Sequence, residues 1–326
     1  DVNYVGAADG GNVEQTVEID EIGRNNEWSI GFAGNLEDRI YMGASLGIQN
    51  ISYQTAMTFK EEDINNLHNT FANDSTPFQS GTFTTGFRTR GSGFNLRLGI
   101  IGKPTDYLRI GVSVVTPTVL ALTDTYYSQI TGNLDDDPIE YTTDAPDGRF
   151  SYKFVNPFKV TVGGMALLGK RGFISADFDY IDYTNAKYKS DVSPSSSFYY
   201  NFRDENNSIQ DLFSGAYNLR LGGELRFGPG RARLGYGRYT SILKKEFLNY
   251  YTYPDNTVQK LRDGKQVYTL GLGLKQKSFY LDLAFVHEEA SDRRLLYTLP
   301  DATAYSPELV NKLSSNNIYM TIGFTF

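Results

Sequence analysis

Apolar and polar residues alternate along most of this chain, most clearly from Gly91 to Pro117. Phe94, Leu96, Leu98 and Ile100 share one parity, with Asn95, Arg97 and Gly99 on the other. After the turn Gly102-Lys103-Pro104-Thr105-Asp106, Leu108, Ile110, Val112 and Val114 oppose Arg109, Gly111 and Ser113. Side chains on a strand point alternately to opposite faces, so each run is a two-faced strand and the pair is a hairpin. The same reading predicts about eleven strands in order, at residues 13–35, 40–59, 82–101, 107–125, 150–168, 173–183, 217–227, 231–240, 266–275, 279–288 and 317–326.

The connections alternate in length. Short turns fall at Leu36–Asp38, Gly102–Asp106, Gly169–Gly172, Gly228–Gly230 and Lys275–Ser278. Long polar connections fall at Lys60–Ser80, Gln129–Gly148, Lys187–Asp211, Tyr250–Asp263 and Arg293–Ser315. Within them EEDINNLHNTF, from Glu61, and Pro307 to Leu313 could each make a short helix. Short turns on one rim and long loops on the other are the pattern of outer-membrane β-barrels. A soluble β-sandwich also alternates, but it has shorter strands and buries its apolar faces in one dry core. The fold expected is therefore all-β, a single antiparallel transmembrane barrel over residues 1–326.

Composition agrees. Tyr (24), Phe (21) and Gly (32) are abundant, yet the mean hydropathy is -0.39. Alternating strands that face lipid on one side and a polar lumen on the other reconcile the two. No run approaches the ~18 apolar residues of a membrane helix. The absence of Cys rules out a disulfide scaffold and thiol chemistry, and a net charge of -7 argues against nucleic acid as a partner. Single-chain bacterial barrels close with an even number of strands, so an odd count leads to the expectation of further strands, and a signal peptide, upstream of Asp1. The last strand ends in Phe326, which resembles the terminal aromatic read by the outer-membrane assembly machinery.

Candidate chemistry lies on the face opposite the lipid-facing residues. By parity it carries Arg97, Arg109, Lys159, Arg220, Arg226, Arg231 and Arg233 together with Asp177, Asp179, Glu224 and Asp282. Buried charges persist when paired or wet, so one reading is that these groups neutralise one another across the lumen. The other is that some of the cations, with Arg97 and Arg220 nearest mid-strand and Arg109 and Lys159 beside them, meet a ligand carboxylate, for which the planar guanidinium fork is suited. An apolar ligand chain would then lie against Met165, Val115, Leu167 and Ile181. Tyr126, Tyr127, Tyr199, Tyr200, Tyr250, Tyr251 and Tyr253 cluster where strands meet long loops, as an interfacial girdle or a greasy capture surface. Neither His68 nor the pair His287 and Ser291 forms a catalytic constellation. Asp135-Asp136-Asp137 reads as a solvated loop tip, so no enzyme activity, metal or cofactor is expected.

GSGFNLRLGIIGKPTDYLRIGVSVVTPT, at 91 to 118, resembles the long-chain fatty acid transporter (FadL, outer-membrane protein P1) family. So do FISADFDYIDYTNAKY at 173 to 188 and AYNLRLGGELRFGPGRARLGYGRYT at 216 to 240. Together the similarity covers most of residues 27 to 326. It implies a bacterial outer-membrane barrel of about fourteen strands, plugged by an N-terminal hatch, that passes hydrophobic small molecules such as fatty acids without catalysis. The family's hatch motif and early kinked strand have no counterpart here, so no residues are carried over for those steps. Outer-membrane lipid and lipopolysaccharide are the expected surroundings. A second reading is a barrel that serves as a subunit or docking partner of a larger outer-membrane secretion or assembly complex, with membrane-protein partners.

Overall fold

The computed structural model describes residues 13–64, 78–134, 137–244, 260–276, 278–295 and 308–324. They form one antiparallel 15-stranded sheet. Its strands are β1 Glu14–Leu36, β2 Ile40–Glu62, β3 Phe78–Thr105, β4 Leu108–Val115, β5 Thr118–Leu134, β6 Asp137–Asp144, β7 Gly148–Asn156 and β8 Lys159–Leu167. They continue with β9 Gly172–Asp182, β10 Lys187–Ser190, β11 Gly215–Phe227, β12 Gly230–Thr240, β13 Lys260–Lys275, β14 Phe279–Leu295 and β15 Glu308–Phe324. β3 pairs with β4 along its lower part and with β5 along its upper part, and β7/β8 and β9/β10 are broken in the same way. Counting each broken pair as one rank and setting aside β6, which only pairs with β5, the sheet is a sequential meander of eleven ranks. Among the described residues β1 and β15 do not pair with each other.

The three breaks lie at one height. Val115 pairs with Lys159 just below them and Thr118 with Asn156 just above. Ile181 and Lys187 flank the same level on the next rank, around the 3-10 turn Tyr183–Asn185. Pro117 and Pro157 have no N–H to give to a ladder, which explains two of the interruptions. Across the break the register against β3 slips by one residue, from Arg97 opposite Val115 to Phe94 opposite Val119, which shifts the side-chain parity. In β4 the odd positions face inward, whereas in β5 the even ones do.

Below that level one face carries Phe32, Met42, Leu98, Ile100, Val112, Phe178, Leu234, Leu270 and Ile318, all exposed. The apolar stretch runs about ten residues per strand, the length a tilted strand needs to cross a bilayer's hydrocarbon. Phe94 and Val112 sit on this outward face and Arg97 on the inner one, as parity predicts. The short turns share one rim. At β11–β12, Phe227 pairs directly with Gly230, and Gly228 takes the left-handed first turn position at φ 58.

Several expectations on the loop side are corrected. The supposed connection 129–148 contains the upper end of β5 and all of β6. The one at 187–211 contains β10 and most of helix α1, Arg203–Leu212, while β14 and β15 reach Leu295 and down to Glu308. Glu308–Leu313 is thus strand rather than helix. These segments are hydrated on one or both faces and carry too few apolar residues to alternate visibly, so their pairing comes from extension of neighbouring ladders. Of the suggested helix after Lys60, Glu61 and Glu62 are strand, and residues 65–71 lie outside the described residues.

Candidate ligand site on the inner face

The inner face at the depth of the apolar band is largely bare. Gly31, Gly43, Gly99, Gly111 and Gly163 sit side by side in register across β1, β2, β3, β4 and β8 or one step apart. A Cβ on Gly163 would lie 2.1 Å from Asp177 Oδ1, so the glycine is what lets that carboxylate lie against the wall. The bareness leaves a groove of about 750 Å³, whose inner-face lining includes Arg97, Arg109, Ser113, Thr161, Met165 and Asp177.

The charges proposed from parity separate into three groups. Arg220 holds Asp179 with both nitrogens, Nη1 at 2.7 Å and Nη2 at 2.9 Å, and Lys159 lies 3.9 Å from the same carboxylate. Thr161 Oγ1 donates to Asp179 as well, so this buried acid is fully engaged. Arg97 bonds to Glu27, which also accepts from Gln49. Near the turn rim Glu224 collects Arg226, Arg231 and Arg233, and Arg233 continues to Asp282. Arg109 differs from all of these. Among the described residues it makes no ion pair or hydrogen bond, and its Nη1 is buried without a partner. Arg97, Arg109 and Met165 thus share the groove, whereas Arg220 and Lys159 converge on Asp179 outside it. Glu27 was not among the candidates, although its place one residue before outward Trp28 already puts it on the inner face.

Above the breaks the inner face changes character. Leu120, Leu122, Tyr152 and Phe202 are buried together, with Ile51, Phe154 and Tyr188 packed against them. Phe202 sits among Phe150, Tyr152, Tyr188 and Tyr200 at ring separations of 4.8–6.1 Å. It is brought there by α1, whose Asn206 bonds both the N–H and the carbonyl of Tyr188. Gly91 and Gly93 complete the surface: a Cβ on either would run into the side chains of Leu122 and Leu120 and the β5 backbone. The motif glycines that marked the hairpin therefore serve to let two leucines lie flat across β3.

Comparison with solved structures bears on this geometry. A FadL homologue from Pseudomonas aeruginosa superposes with a TM-score of 0.52 at 14% identity, covering 94% of this chain and 67% of its own. The fold is the FadL barrel wall. The toluene transporter TbuX of Ralstonia pickettii aligns over 94% of this chain and 69% of its own, with a TM-score of 0.46 and 14% identity. No family model and no curated protein matches the sequence.

On this FadL-type wall the remaining candidates are bystanders to the groove. His287 bonds to Asn316 and Glu289 on the outward side of β14. Asp137 binds the Tyr141 hydroxyl and the Ile139 N–H within β6. Tyr200 joins the aromatic surface and donates to Glu205 at 2.6 Å, which raises its hydroxyl above the usual phenol range. Tyr126 and Tyr127 are exposed on opposite faces of β5. His68, Asp135, Asp136, Tyr250, Tyr251, Tyr253 and Phe326 lie outside the described residues.

Proposed function

We propose that this chain forms the wall of a bacterial outer-membrane channel for passive transport of hydrophobic small molecules, with amphiphilic acids such as long-chain fatty acids as substrates. The observation that carries the reading is Arg109. It is a cation with a buried, unpartnered nitrogen, in a groove whose inner lining also includes glycines, small hydroxyls, Met165, the ion-paired Arg97 and Asp177. A carboxylate would answer that charge bidentately, and an acyl chain would lie along Met165, Ile101 and Val115. The aromatic surface on the inner face of β5, β7 and β10 would meet such molecules first, at the long-loop rim, which faces the exterior in this reading. The edges of β1 and β15 that are unpaired among the described residues cannot stand in hydrocarbon, so in this reading they are covered in the working channel.

Oleate binding to the purified protein in detergent tests the reading. Arg109→Ala should weaken oleate about tenfold, as losing a charge-assisted hydrogen bond would, with little effect on a neutral alcohol of equal length. Unchanged oleate affinity in both Arg109→Ala and Arg97→Ala would remove the acid-binding role from the groove.

A further inference from the structure

Just above the apolar band, the outer face of the sheet turns basic across β1, β2, β3, β5, β7 and β10. Register places the outward positions in rows. The last apolar row reads Trp28, Ile48, Phe94, Val119 and Val155, and it ends at Lys187. The next reads Asn26, Asn50, Ser92, Ala121, Lys153 and Lys189, and the one above it Arg24, Ser52, Arg90, Thr123 and Ser151. Arg88 follows one row higher, bonded only to the neutral Gln54. Arg24, Arg88, Arg90, Lys153, Lys187 and Lys189 are all exposed, and none has a carboxylate partner among the described residues. Acidic groups flank the patch: Asp20 lies two rows above Arg24 on β1, Asp147 just before β7, and Asp191 two residues past Lys189. The patch spans six adjacent strands, roughly 24 Å at ~4.8 Å per strand.

Two features single it out. Lys153 and Lys189 are direct cross-strand partners, an arrangement of like charges that destabilises a sheet unless an anion sits between them. The chain as a whole is acidic, at -7.

We infer that this patch is a docking site for a phosphorylated lipid headgroup of the outer leaflet. Its depth decides between occupants: the cations begin in the row where apolar side chains end, at the level where a lipid packed against Phe94, Val119 and Val155 carries its phosphates. Two phosphates on one headgroup would bridge Lys153 and Lys189 on one side and Arg88 and Arg90 on the other. The inference rests on the membrane reading above and adds to it a fixed lipid on one side of the wall.

The test uses the full-length protein reconstituted in neutral-lipid nanodiscs, with diphosphorylated lipid A and its dephosphorylated form as probes. The diphosphorylated form should bind at least tenfold more tightly, increasingly so at low salt. The variant Arg88→Gln/Arg90→Gln/Lys153→Gln/Lys189→Gln should lose that preference, while Lys170→Gln/Arg171→Gln at the turn rim keeps it. Lys189→Gln alone should unfold at a higher temperature than the parent without lipid A and at a lower one with it. Equal binding of both lipid forms, retention of the preference in the fourfold variant, or equal competition by an acidic peptide would each overturn the proposal. Failure of the parent to insert and fold, read by heat-modifiable gel mobility, would instead overturn the membrane reading.

Discussion

The two halves of the tall strands are amphipathic in opposite senses. Below the breaks β1, β2 and β3 turn Phe32, Met42 and Leu98 outward and Gly31, Ser45 and Arg97 inward. Above them the outward positions are Arg24, Gln54 and Arg90, and the inward ones include Ile51, Tyr53, Met57, Phe59, Phe83 and Phe87. Val17, Phe59, Phe83 and Ile130 form a continuous inner row through direct cross-strand pairs. The same backbone thus serves two solvents. In a bilayer the outside must be apolar, whereas beyond it water wets the outside and the interior is what collects apolar groups. Two-faced alternation tells that a strand separates two environments. It does not tell which one is inside.

The sharpest way to break the lower half is to strip its inner charge pairing. Asp179→Ala removes the carboxylate that Arg220 and Lys159 share and should cost about 3–5 kcal/mol, measured by urea unfolding in lipid. Next comes the outer face. Leu98→Arg should destabilise by about 2–4 kcal/mol at mid-band, while Gln54→Arg, on the same face of the upper half, should change little. For the upper half, Phe202→Ala removes the ring around which the aromatic surface packs. The expected loss is about 3 kcal/mol, confined to residues 191–214 and the β7–β10 surface and read as faster local hydrogen exchange, with the lower strands unaffected. Gly91→Ala should cost about 1–3 kcal/mol by overpacking, because its Cβ would meet Leu122 and the Ala121 carbonyl. Smallest in stability is Arg109→Ala, expected to be neutral or slightly stabilising since no partner is orphaned; its effect should appear in oleate affinity instead.

Much of this was legible beforehand for the lower half and little for the upper. Where one face meets lipid, every second residue must be apolar, and Phe94 to Ile100 or Leu219 to Leu225 cannot be read otherwise. Pro117 and Pro157 were visible as residues, but nothing local says that they lie beside each other, since 40 positions separate them and only the register of β5 with β7 and β4 with β8 aligns them. The parity shift that follows turns Leu120 and Leu122 inward, against the simple continuation of the Val112 and Val114 pattern.

By itself, the sequence determined that the chain is a meander of two-faced strands with short turns on one rim, which residues share a face in the apolar band, and that the charges of that band lie on its inner side. These are consequences of a two-residue period and need no knowledge of neighbours. Only the tertiary structure decided which charges cancel and which does not. Arg220 finds Asp179 and Arg97 finds Glu27 because strands far apart in sequence come into register, and Arg109 is left unpaired because the positions beside it are Met165 and the bend of β3. Pairing across a sheet depends on which strands are adjacent and at what offset, and that information resides in no single strand.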